Sequence, residues 1–569
     1  MAKFTALQAM DHILAEGEVT EWHSDSDEVE SEEEDIVECQ SEDTDTESEE
    51  EITSEAVSPP AEVLQSKNGS ISWRLVPPDE TRRGAGRAVA ENIIKMTPGV
   101  TRFAITRISD IKTSFEQFLP SSLKKIILDM TNLEGQKVYG DTWIDFDEGF
   151  LDAYIGILLL AGVYRSSNEA TASLWDTATG RNIFRATMSL KTFHMISRVL
   201  RFDNRDMRAG RDKLAPIRDV WERWVQRLPL MFNPGPEVTI DERLVPFWGR
   251  CPFWQYMPNK PAKYGIKIWA ACDARTSYAW NMQIYTGKPE SGIPERNQGR
   301  RVVLDLTTGL RGHNITCDNF FTSFDLGQEL MRRKLTMVGT IKKNKPELPV
   351  EIVNLKNRAP LSSKSAFTDT TTIVSYCPKK NPIIILDYNK NKGGVDSLDK
   401  LTATYTCQHM TRRWPVVLFY NILDVSAYNA FVLWTQIHHG WNASKNQRRR
   451  MFLKELGDSL IKGHIEKRER VPQDPAAAAV VRQLQTSAST PSTSAGRRRA
   501  STPASSSASP ATASPAAVTD PERPVDSKRK RCQVCPSSKD RKTNAMCVKC
   551  QKYICKEHTK NVTYCPTCT

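Results

Sequence analysis

The spacing of hydrophobic residues changes at Pro234-Gly235-Pro236, and this change constrains the fold more than any other feature of the chain. On its N-terminal side, apolar residues recur at helical intervals. On its C-terminal side, Val238-Thr239-Ile240-Asp241 alternates as a half-buried strand does. Four further strands are predicted at 263–273, 278–285, 313–318 and 335–341, with helices at 301–310 and 324–333 on either side of the fourth strand.

Three strands joined by short turns, and then helix, strand, helix and strand, predict a mixed five-stranded sheet with helices on its faces. This order is ribonuclease-H-like, and it makes the first and fourth strands neighbours. Asp241 ends the first predicted strand and Asp318 ends the fourth, so the two carboxylates are expected to lie side by side. The predicted fold class is α+β multidomain: a ribonuclease-H-like catalytic core interrupted by an insertion, packed on an all-α domain, with a separate C-terminal domain.

Two more aspartates occur in the segment GGVDSLDK at 393–400. Asp396 and Asp399 share one face of a helix that starts after the glycines. Taken alone, such acids complement the positive end of the helix dipole. In the predicted topology, however, this helix crosses the first and fourth strands, so that Asp241, Asp318 and Asp396 converge. Three carboxylates suit Mg²⁺ or Mn²⁺, and ions held in this way support in-line phosphoryl transfer.

Charge divides the chain into unlike parts. Sixteen acidic residues and no Lys or Arg occur between Asp25 and Glu51, which predicts a disordered acidic region. The rest of the chain has a formal net charge of +26, from 78 Lys and Arg against 52 Asp and Glu. A body this basic predicts a polyanionic partner, most plausibly nucleic acid.

Composition and periodicity set the predicted boundaries. The predicted regions are a disordered acidic region at 1–80, a helical domain at 81–235 completed by 402–465, a catalytic domain at 236–341 and 383–401, an insertion at 342–382, a disordered linker at 466–527 and a cysteine-rich domain at 528–569. The apolar run at 415–434 contains four polar residues, which favours a buried helix over a membrane span, and no membrane partner is expected. Because the N-terminus lacks an apolar secretory core, the chain is expected to be intracellular.

Seven of the thirteen cysteines lie in the last forty residues, where clustering in a reducing compartment indicates metal ligation. With one histidine they form four pairs of ligands: Cys532, Cys535, Cys547, Cys550, Cys555, His558, Cys565 and Cys568. Eight ligands match two tetrahedral Zn²⁺ ions. Four alternating pairs predict a cross-brace, with pairs one and three on one ion and pairs two and four on the other. A RING-like ligase module and a DNA-binding module are both compatible with this pattern.

Two sets of basic residues are candidate interaction sites. The first follows the predicted linker as a nuclear localisation signal does, although it would also serve as part of a DNA-contacting surface; it consists of Lys528, Arg529, Lys530 and Arg531. The second set combines basic residues with an aromatic one and is predicted to contact phosphates; it consists of Lys342, Lys343, Lys345, Arg412, Arg413 and Trp414. These predictions imply a nuclear location and the nuclear import machinery as a partner.

Six stretches carry a family resemblance: VTIDERLVPF, CPFWQYMPNKPAKYGIK, NITCDNFFTS, LTMVGTIKKNKPE, YNKNKGGVDSLDK and TRRWP. They make the chain similar to the piggyBac-type transposases over about 97–465 and again at the C-terminus. The resemblance implies a cut-and-paste transposase that acts as a dimer on double-stranded transposon ends, passes through a hairpin and inserts at TTAA. It also implies that the helical domain serves in dimerisation and DNA binding. It implies catalytic roles for Asp241, Asp318 and Asp396, with Asp399 as a fourth important acid. It also favours a zinc module that reads DNA.

Some positions depart from that family. Trp248 and Trp254 stand where it usually has arginine, and Gln408-His409 where relatives are commonly basic. Each change is one that an arginine codon reaches by a single CpG-type transition, as in a copy decaying in a methylated genome. An active transposase and a domesticated or decayed DNA-binding protein without strand transfer are therefore both open. A zinc-dependent interaction or ligase module on an inert body is a third alternative. Restoring both arginines is expected to tighten DNA binding.

Overall fold

The structure is a computed structural model that describes residues 63–77, 93–208, 210, 212–258, 260–287, 295–354, 358–359, 362–376 and 383–489, together with 530–531, 542–543 and 553. It divides into two compact units, Met1–Ser492 and Thr493–Thr569. The predictions for the acidic segment at 25–51 and for Lys528 and Arg529 lie outside the described residues. So do the predicted zinc ligands Cys532, Cys535, Cys547, Cys550, Cys555, His558, Cys565 and Cys568.

The strands of the first unit are β1 (Val63–Gln65), β2 (Ser72–Arg74), β3 (Gly99–Val100), β4 (Phe232–Asn233), β5 (Glu237–Pro246), β6 (Trp254–Tyr256), β7 (Tyr264–Asp273), β8 (Ala279–Ile284), β9 (Asn314–Cys317), β10 (Thr336–Gly339), β11 (Ser363–Phe367) and β12 (Thr372–Tyr376). In the second unit, β13 (Lys530–Arg531) pairs with β14 (Lys542–Thr543) in antiparallel fashion. Lys530 and Arg531 of the predicted localisation signal therefore lie in a short strand.

The helices are α1 (Arg102–Ile105), α2 (Ile111–Glu116), α3 (Ser121–Tyr139), α4 (Glu148–Val163), α5 (Thr171–Leu174), α6 (Asn182–Thr187), α7 (Leu190–Val199), α8 (Arg218–Val225), α9 (Leu228–Met231), α10 (Gln298–Leu306), α11 (Phe324–Arg332), α12 (Val350–Val353), α13 (Ile383–Asn391), α14 (Gly394–Thr404), α15 (Trp414–Ile437), α16 (Arg448–Glu466) and α17 (Pro475–Ser489). Short 3₁₀ turns occur at Gly140–Thr142 and Arg205–Met207.

The central sheet is mixed, as predicted. Its strands lie in the order β10, β9, β5 and β7, and β6 and β8 both pair with β7. β5 is parallel to β9, and β9 is parallel to β10, whereas β7 is antiparallel to β5, β6 and β8. The five predicted strands are all present, and the short β6 is an additional strand. The first and fourth predicted strands are neighbours, which is the relation that the candidate site requires.

The first strand of this sheet is longer than predicted. β5 continues past Asp241 to Pro246, because β7 remains its antiparallel partner as far as the pair of Pro246 with Gly265. The parallel pairing of β5 with β9 stops earlier, at Ile240 and Cys317. Asp241 therefore lies inside a strand, at the point where that strand loses its parallel neighbour.

The helical part of the first unit is built around two almost wholly buried helices. α4 is apolar on all sides and packs against α16. α4 and α16 approach each other closely at Gly156, where a Cβ would lie 2.6 Å from Ile461 Cγ2. α15 is long and apolar enough to cross a membrane, but 89% of its most apolar window is buried inside the protein. It is a core helix, as predicted from its polar residues.

Those polar residues join α15 to its neighbours. Asn429 accepts a hydrogen bond from the amide of Ala279 at 3.0 Å and donates one to the Ala279 carbonyl at 2.9 Å. Ser426 Oγ accepts a hydrogen bond from Trp224 Nε1 at 2.9 Å. Because buried polar groups require partners, these residues fix α15 against the end of β8 and against α8.

Part of the region predicted to be disordered at 1–80 is folded. Residues 63–77 form the hairpin β1–β2, which joins β11 and β12 of the predicted insertion in a four-stranded sheet. Trp73 is buried in a small separate core with Ile352 and Ala366, and its Nε1 donates to the Glu347 carbonyl at 3.0 Å. The acidic composition upstream hid this hairpin, whose partners lie about 300 residues later in the chain.

The predicted linker at 466–527 also begins with folded structure. α17 packs against α6 and α16, and its Ala477 and Val481, one helical turn apart, are fully buried. Asp474 accepts a hydrogen bond from the Ala477 amide at 2.8 Å and pairs with Arg185 at 3.2 Å. The alanines that indicated low complexity are here good helix formers that allow close packing.

Candidate active site

Two of the predicted acids are brought together by strand register. The parallel pairing of β5 with β9 ends at Ile240 and Cys317, so the next residues, Asp241 and Asp318, lie side by side. Glu242 joins them, and one carboxylate oxygen from each of the three residues lies within 4.8 Å of the other two. We call Asp241, Glu242 and Asp318 the carboxylate cluster. In the described part of the chain, this is the group whose geometry could hold a metal ion.

Glu242 was not predicted to belong to the site, because consecutive strand residues normally face opposite sides of a sheet. Its adjacency to Asp241 in the stretch TIDERL was the available signal. The longer side chain reaches round to the same site, while the Glu242 amide donates to Asp241 Oδ1 at 2.8 Å. A neighbouring acid therefore contributes charge to the site without a change of register.

The carboxylate cluster carries poorly compensated negative charge. Burial, and after it the charge of Glu242, raise the pKa of Asp241 to about 8. Burial and the same charge raise the pKa of Asp318, although the Phe320 amide donates to its Oδ1 at 2.9 Å. Oxygen ligands that repel one another in a partly buried site fit a hard divalent cation, because such an ion stabilises their charged forms.

Asp399 lies near this cluster but is neutralised by a cation. Its Oδ1 contacts Arg243 Nε at 2.7 Å, and the Arg243 side chain is only 6% exposed. Arg243 also donates to Thr402 Oγ1 at 3.2 Å. Burial raises the pKa of Asp399 despite the opposing charge of Arg243. The pair connects α14 to β5, so Asp399 positions this helix and lies outside the carboxylate cluster.

Asp396 also lies outside the carboxylate cluster. It is exposed and pairs with Lys260 Nζ at 3.5 Å, and the same ammonium donates to the Glu242 carbonyl at 2.7 Å. Burial lowers the pKa of Lys260, but the charges of Asp241, Glu242, Asp396 and Asp399 together hold it above its usual value. Lys260 is therefore the cation that the carboxylate cluster shares with Asp396 and Asp399 of α14.

Gly394, the first residue of α14, explains how this helix reaches the sheet. A Cβ on Gly394 would lie 2.6 Å from Thr239 Oγ1, a separation that packed atoms do not adopt. Thr239 Oγ1 donates to the Asn391 carbonyl at 2.6 Å, which holds the preceding turn on β5. Val395 and Leu398 are fully buried, so they form the apolar side by which α14 packs on the protein. The close approach places Asp396 and Asp399 beside the strand acids.

The structure corrects part of the predicted phosphate-contacting set. Arg413 is engaged inside the protein, where its guanidinium donates to the carbonyls of Ser197 and Arg198 at 3.1 Å and to that of Leu200. Trp414 packs against Phe253, with ring centroids 5.0 Å apart. A basic sequence next to a helix start does not distinguish a capping arginine from a DNA contact.

The other members of that set lie at the surface. Arg412, Lys342 and Lys343 are exposed, and Lys345 is half-buried. The Lys343 carbonyl accepts a hydrogen bond from Lys67 Nζ at 2.6 Å, so a further lysine of the β1–β2 hairpin lies beside them. Phosphate contact by Arg412, Lys342, Lys343 and Lys345 stays a prediction.

The two tryptophans that depart from the resembled family differ in environment. Trp254 stacks on Tyr264 with centroids 4.7 Å apart and planes at 11°, and its Nε1 donates to the Phe247 carbonyl at 3.0 Å. Trp248 contacts the same Tyr264 at 4.8 Å but is 73% exposed. Trp254 is therefore part of the packing of β6 on β7, and only Trp248 is free to meet a partner. That arginine at position 248 tightens DNA binding stays a prediction, whereas the Trp254 side chain is held in this packing.

Comparison with known proteins gives independent findings. A profile of the family described as Transposase IS4 matches residues 111–385 and 378–431, more than half of the chain. PiggyBac transposable element-derived protein 3 of Homo sapiens is 23% identical over 303 residues, which are 46% of this chain and 51% of that relative. The Chimeric ERCC6-PGBD3 protein of Homo sapiens is also 23% identical over 303 residues, 28% of its length. The matched region thus spans about half of the first relative and less of the second.

A solved structure is similar over most of the chain. It is the cryo-EM structure of a piggyBac transposase synaptic complex with hairpin DNA. The TM-score is 0.61 and the sequence identity is 31%, and the match covers 83% of this chain and 100% of that one.

Proposed function

Because the chain belongs to the piggyBac-type transposase family, we propose that it is a cut-and-paste DNA transposase that cleaves transposon ends by metal-dependent phosphoryl transfer and inserts at TTAA. The observation that carries this proposal is the convergence of Asp241, Glu242 and Asp318 at the end of the parallel strand pair. The order of β5, β7, β8, β9 and β10 supports a ribonuclease-H-like catalytic domain at 236–341 and 383–401.

The residues of the site have separable roles in this proposal. Asp241, Glu242 and Asp318 would hold the Mg²⁺ or Mn²⁺ that a transposase of this class requires. Such an ion, when bound, activates an attacking oxygen and stabilises a leaving one. Asp399 and Arg243 hold α14 on the sheet, and Lys260 offers a positive charge beside the cluster. Asp396 is kept as a catalytic acid on the strength of the family resemblance, next to the cluster and paired with Lys260.

The proposed partner is double-stranded DNA. The basic charge of the chain outside its acidic segment supports this partner, because phosphate neutralisation dominates the affinity of proteins for DNA. The similar solved complex contains hairpin DNA. A homodimer, a nuclear location with import through Lys528–Arg531, and two structural Zn²⁺ ions in 528–569 complete the proposal.

A reporter interrupted by the cognate transposon ends tests this function. The wild-type chain is expected to excise the ends and restore the reporter, and Asp318→Asn is expected to abolish excision while it binds the ends normally. Asp325→Asn is the matched control, because Asp325 is an exposed acid of the same domain at the start of α11. Excision by Asp318→Asn at the wild-type level would place the active site elsewhere.

The alternative is a decayed or domesticated transposase-derived protein that binds DNA without strand transfer. Two observations favour it: Asp396 lies outside the carboxylate cluster, and Trp248 occupies a position where relatives have arginine. In this case the wild-type chain would footprint on the ends but give no excision with either Mg²⁺ or Mn²⁺. The same assay therefore separates the two functions.

A further inference from the structure

We propose that Trp248 is a base-stacking residue that binds an unpaired nucleotide of the DNA substrate near the carboxylate cluster, an inference that rests on the proposed function. Trp248 is 73% exposed, which is unusual for so large an apolar side chain. It lies in the loop between β5 and β6, which no predicted catalytic role involves. Most of the side chain is therefore accessible to a partner.

The ring is supported by neighbouring aromatic side chains. Trp248 contacts Tyr264 with ring centroids 4.8 Å apart, and Tyr264 also contacts Trp254 at 4.7 Å and Tyr256 at 4.8 Å. The hydrogen bond from Trp254 Nε1 to Phe247 fixes the loop next to Trp248. Because the support is already assembled, less side-chain entropy is lost when the exposed ring binds.

The surroundings of Trp248 fit a nucleic-acid strand. Met410, which is 99% exposed, and the exposed Arg412 lie on a segment joined to this loop by the hydrogen bond from Gln408 Nε2 to the Pro246 carbonyl, at 2.8 Å. Arg250 of the loop is also exposed. Neither 246–264 nor 408–412 contains an acidic residue. Cations can therefore contact phosphates while the apolar side chains contact bases.

The position of Trp248 relative to the carboxylate cluster also fits the binding of a DNA strand. Pro246 lies five residues beyond Asp241 on the same strand, about 17 Å at the usual rise of a strand. Lys260, which bonds the Glu242 carbonyl, lies on the connection between β6 and β7. A DNA strand whose phosphate reaches the carboxylate cluster thus has basic residues along a short path to Trp248.

An unpaired base is the occupant that this chemistry favours. Bases inside a duplex are stacked on one another and offer no free face to a tryptophan. An unpaired or unstacked base does, and stacking on an aromatic side chain is tolerant of sequence. A protein partner would also accept an exposed tryptophan, but the two segments 246–264 and 408–412 carry Arg250 and Arg412 and no acidic residue, which matches phosphates.

Equilibrium binding of the full chain without added divalent ions tests the inference, because no cleavage is then needed. The probes are a blunt duplex and the same duplex with a single-stranded tail that contains a fluorescent adenine analogue. The variants are Trp248→Ala and Trp248→Phe. Phe103→Ala is the control, because Phe103 is an exposed aromatic of α1 that lies under Arg107 at 3.8 Å.

Trp248→Ala is expected to bind the tailed probe about 10-fold more weakly and to lose the quenching of the analogue, with duplex affinity unchanged. Trp248→Phe should retain most of the quenching, and Phe103→Ala should match the wild type. Equal losses on both probes, or no loss, would overturn the inference. Failure of the proposed function has a different signature: the wild type discriminates the probes through Trp248 but excises nothing.

Discussion

Asp241, Glu242 and Asp318 (the strand acids) lie close to Asp396 and Asp399 of α14 (the helix acids), but the direct contacts of the two groups differ. Asp241, Glu242 and Asp318 repel one another in a partly buried cluster, and the pKa values of Asp241 and Asp318 are raised. Asp399 and Asp396 instead each have a cationic partner, Arg243 at 2.7 Å and Lys260 at 3.5 Å. The difference indicates that the strand acids are arranged to bind an ion, whereas Asp399 attaches α14 to β5 through Arg243.

The largest effect is expected where a helix acid loses its partner. Arg243→Met leaves Asp399 partly buried without its cation, which should cost about 3 kcal/mol of stability and lower the midpoint of thermal unfolding by several degrees. The double variant Arg243→Met with Asp399→Asn is the control, because it removes the stranded charge. If the single variant unfolds at the same temperature as the double one, Arg243 and Asp399 do not depend on each other and the comparison fails.

Substitution of a strand acid should change the folding stability in the opposite direction. Without added metal, Asp318→Asn is expected to be more stable than the wild type by about 1 kcal/mol, because it removes like-charge repulsion from the cluster. Addition of Mn²⁺ should raise the unfolding midpoint of the wild type more than that of Asp318→Asn. Asp396→Asn is the matched variant from the helix, and it should gain nothing in metal-free buffer. A destabilised Asp318→Asn would indicate that the cluster is held by hydrogen bonds instead.

A smaller effect is expected at the far end of β5. Trp248→Arg should tighten duplex binding and steepen its salt dependence by about one counterion, since the exposed position can present a guanidinium to a phosphate. Trp254→Arg should lower stability without this gain, because the Trp254 ring is stacked on Tyr264. The plot of log affinity against log salt is the measurement. An unchanged slope for Trp248→Arg would mean that this loop does not face DNA.

The parts of the fold that depend on local pattern could be predicted from the sequence. Alternation at Val238–Asp241 located the first strand of the sheet, and the glycines before Asp396 located the start of α14. The neighbour relation of Asp241 and Asp318 followed from the strand order. Glu242 could not be assigned, because the alternation rule places it on the other face, and only its longer side chain brings it to the cluster.

Features that depend on distant partners could not be predicted. Arg413 was predicted to contact phosphates, but its guanidinium donates to carbonyls at the end of α7. Trp73 belongs to a core whose other members follow some 280 residues later. Asp396 satisfied the spacing expected of a metal ligand, but Lys260 pairs with it. In each case the contact comes from another segment, and one sequence does not show which segments meet.

The central claim is that the strand acids bind the metal ion. A calorimetric titration of the full chain with Mn²⁺ tests it most directly, because binding is measured apart from cleavage. The variants are Asp318→Asn from the strands and Asp396→Asn from the helix, which change the same chemical group at neighbouring positions. Any Mn²⁺ taken up by the zinc module is common to all three proteins and cancels in the comparison. The expected result is that Asp318→Asn weakens Mn²⁺ binding at least about 10-fold, whereas Asp396→Asn changes it less than about 3-fold. Equal weakening by the two variants would contradict the account, because it would place the helix acid among the metal ligands.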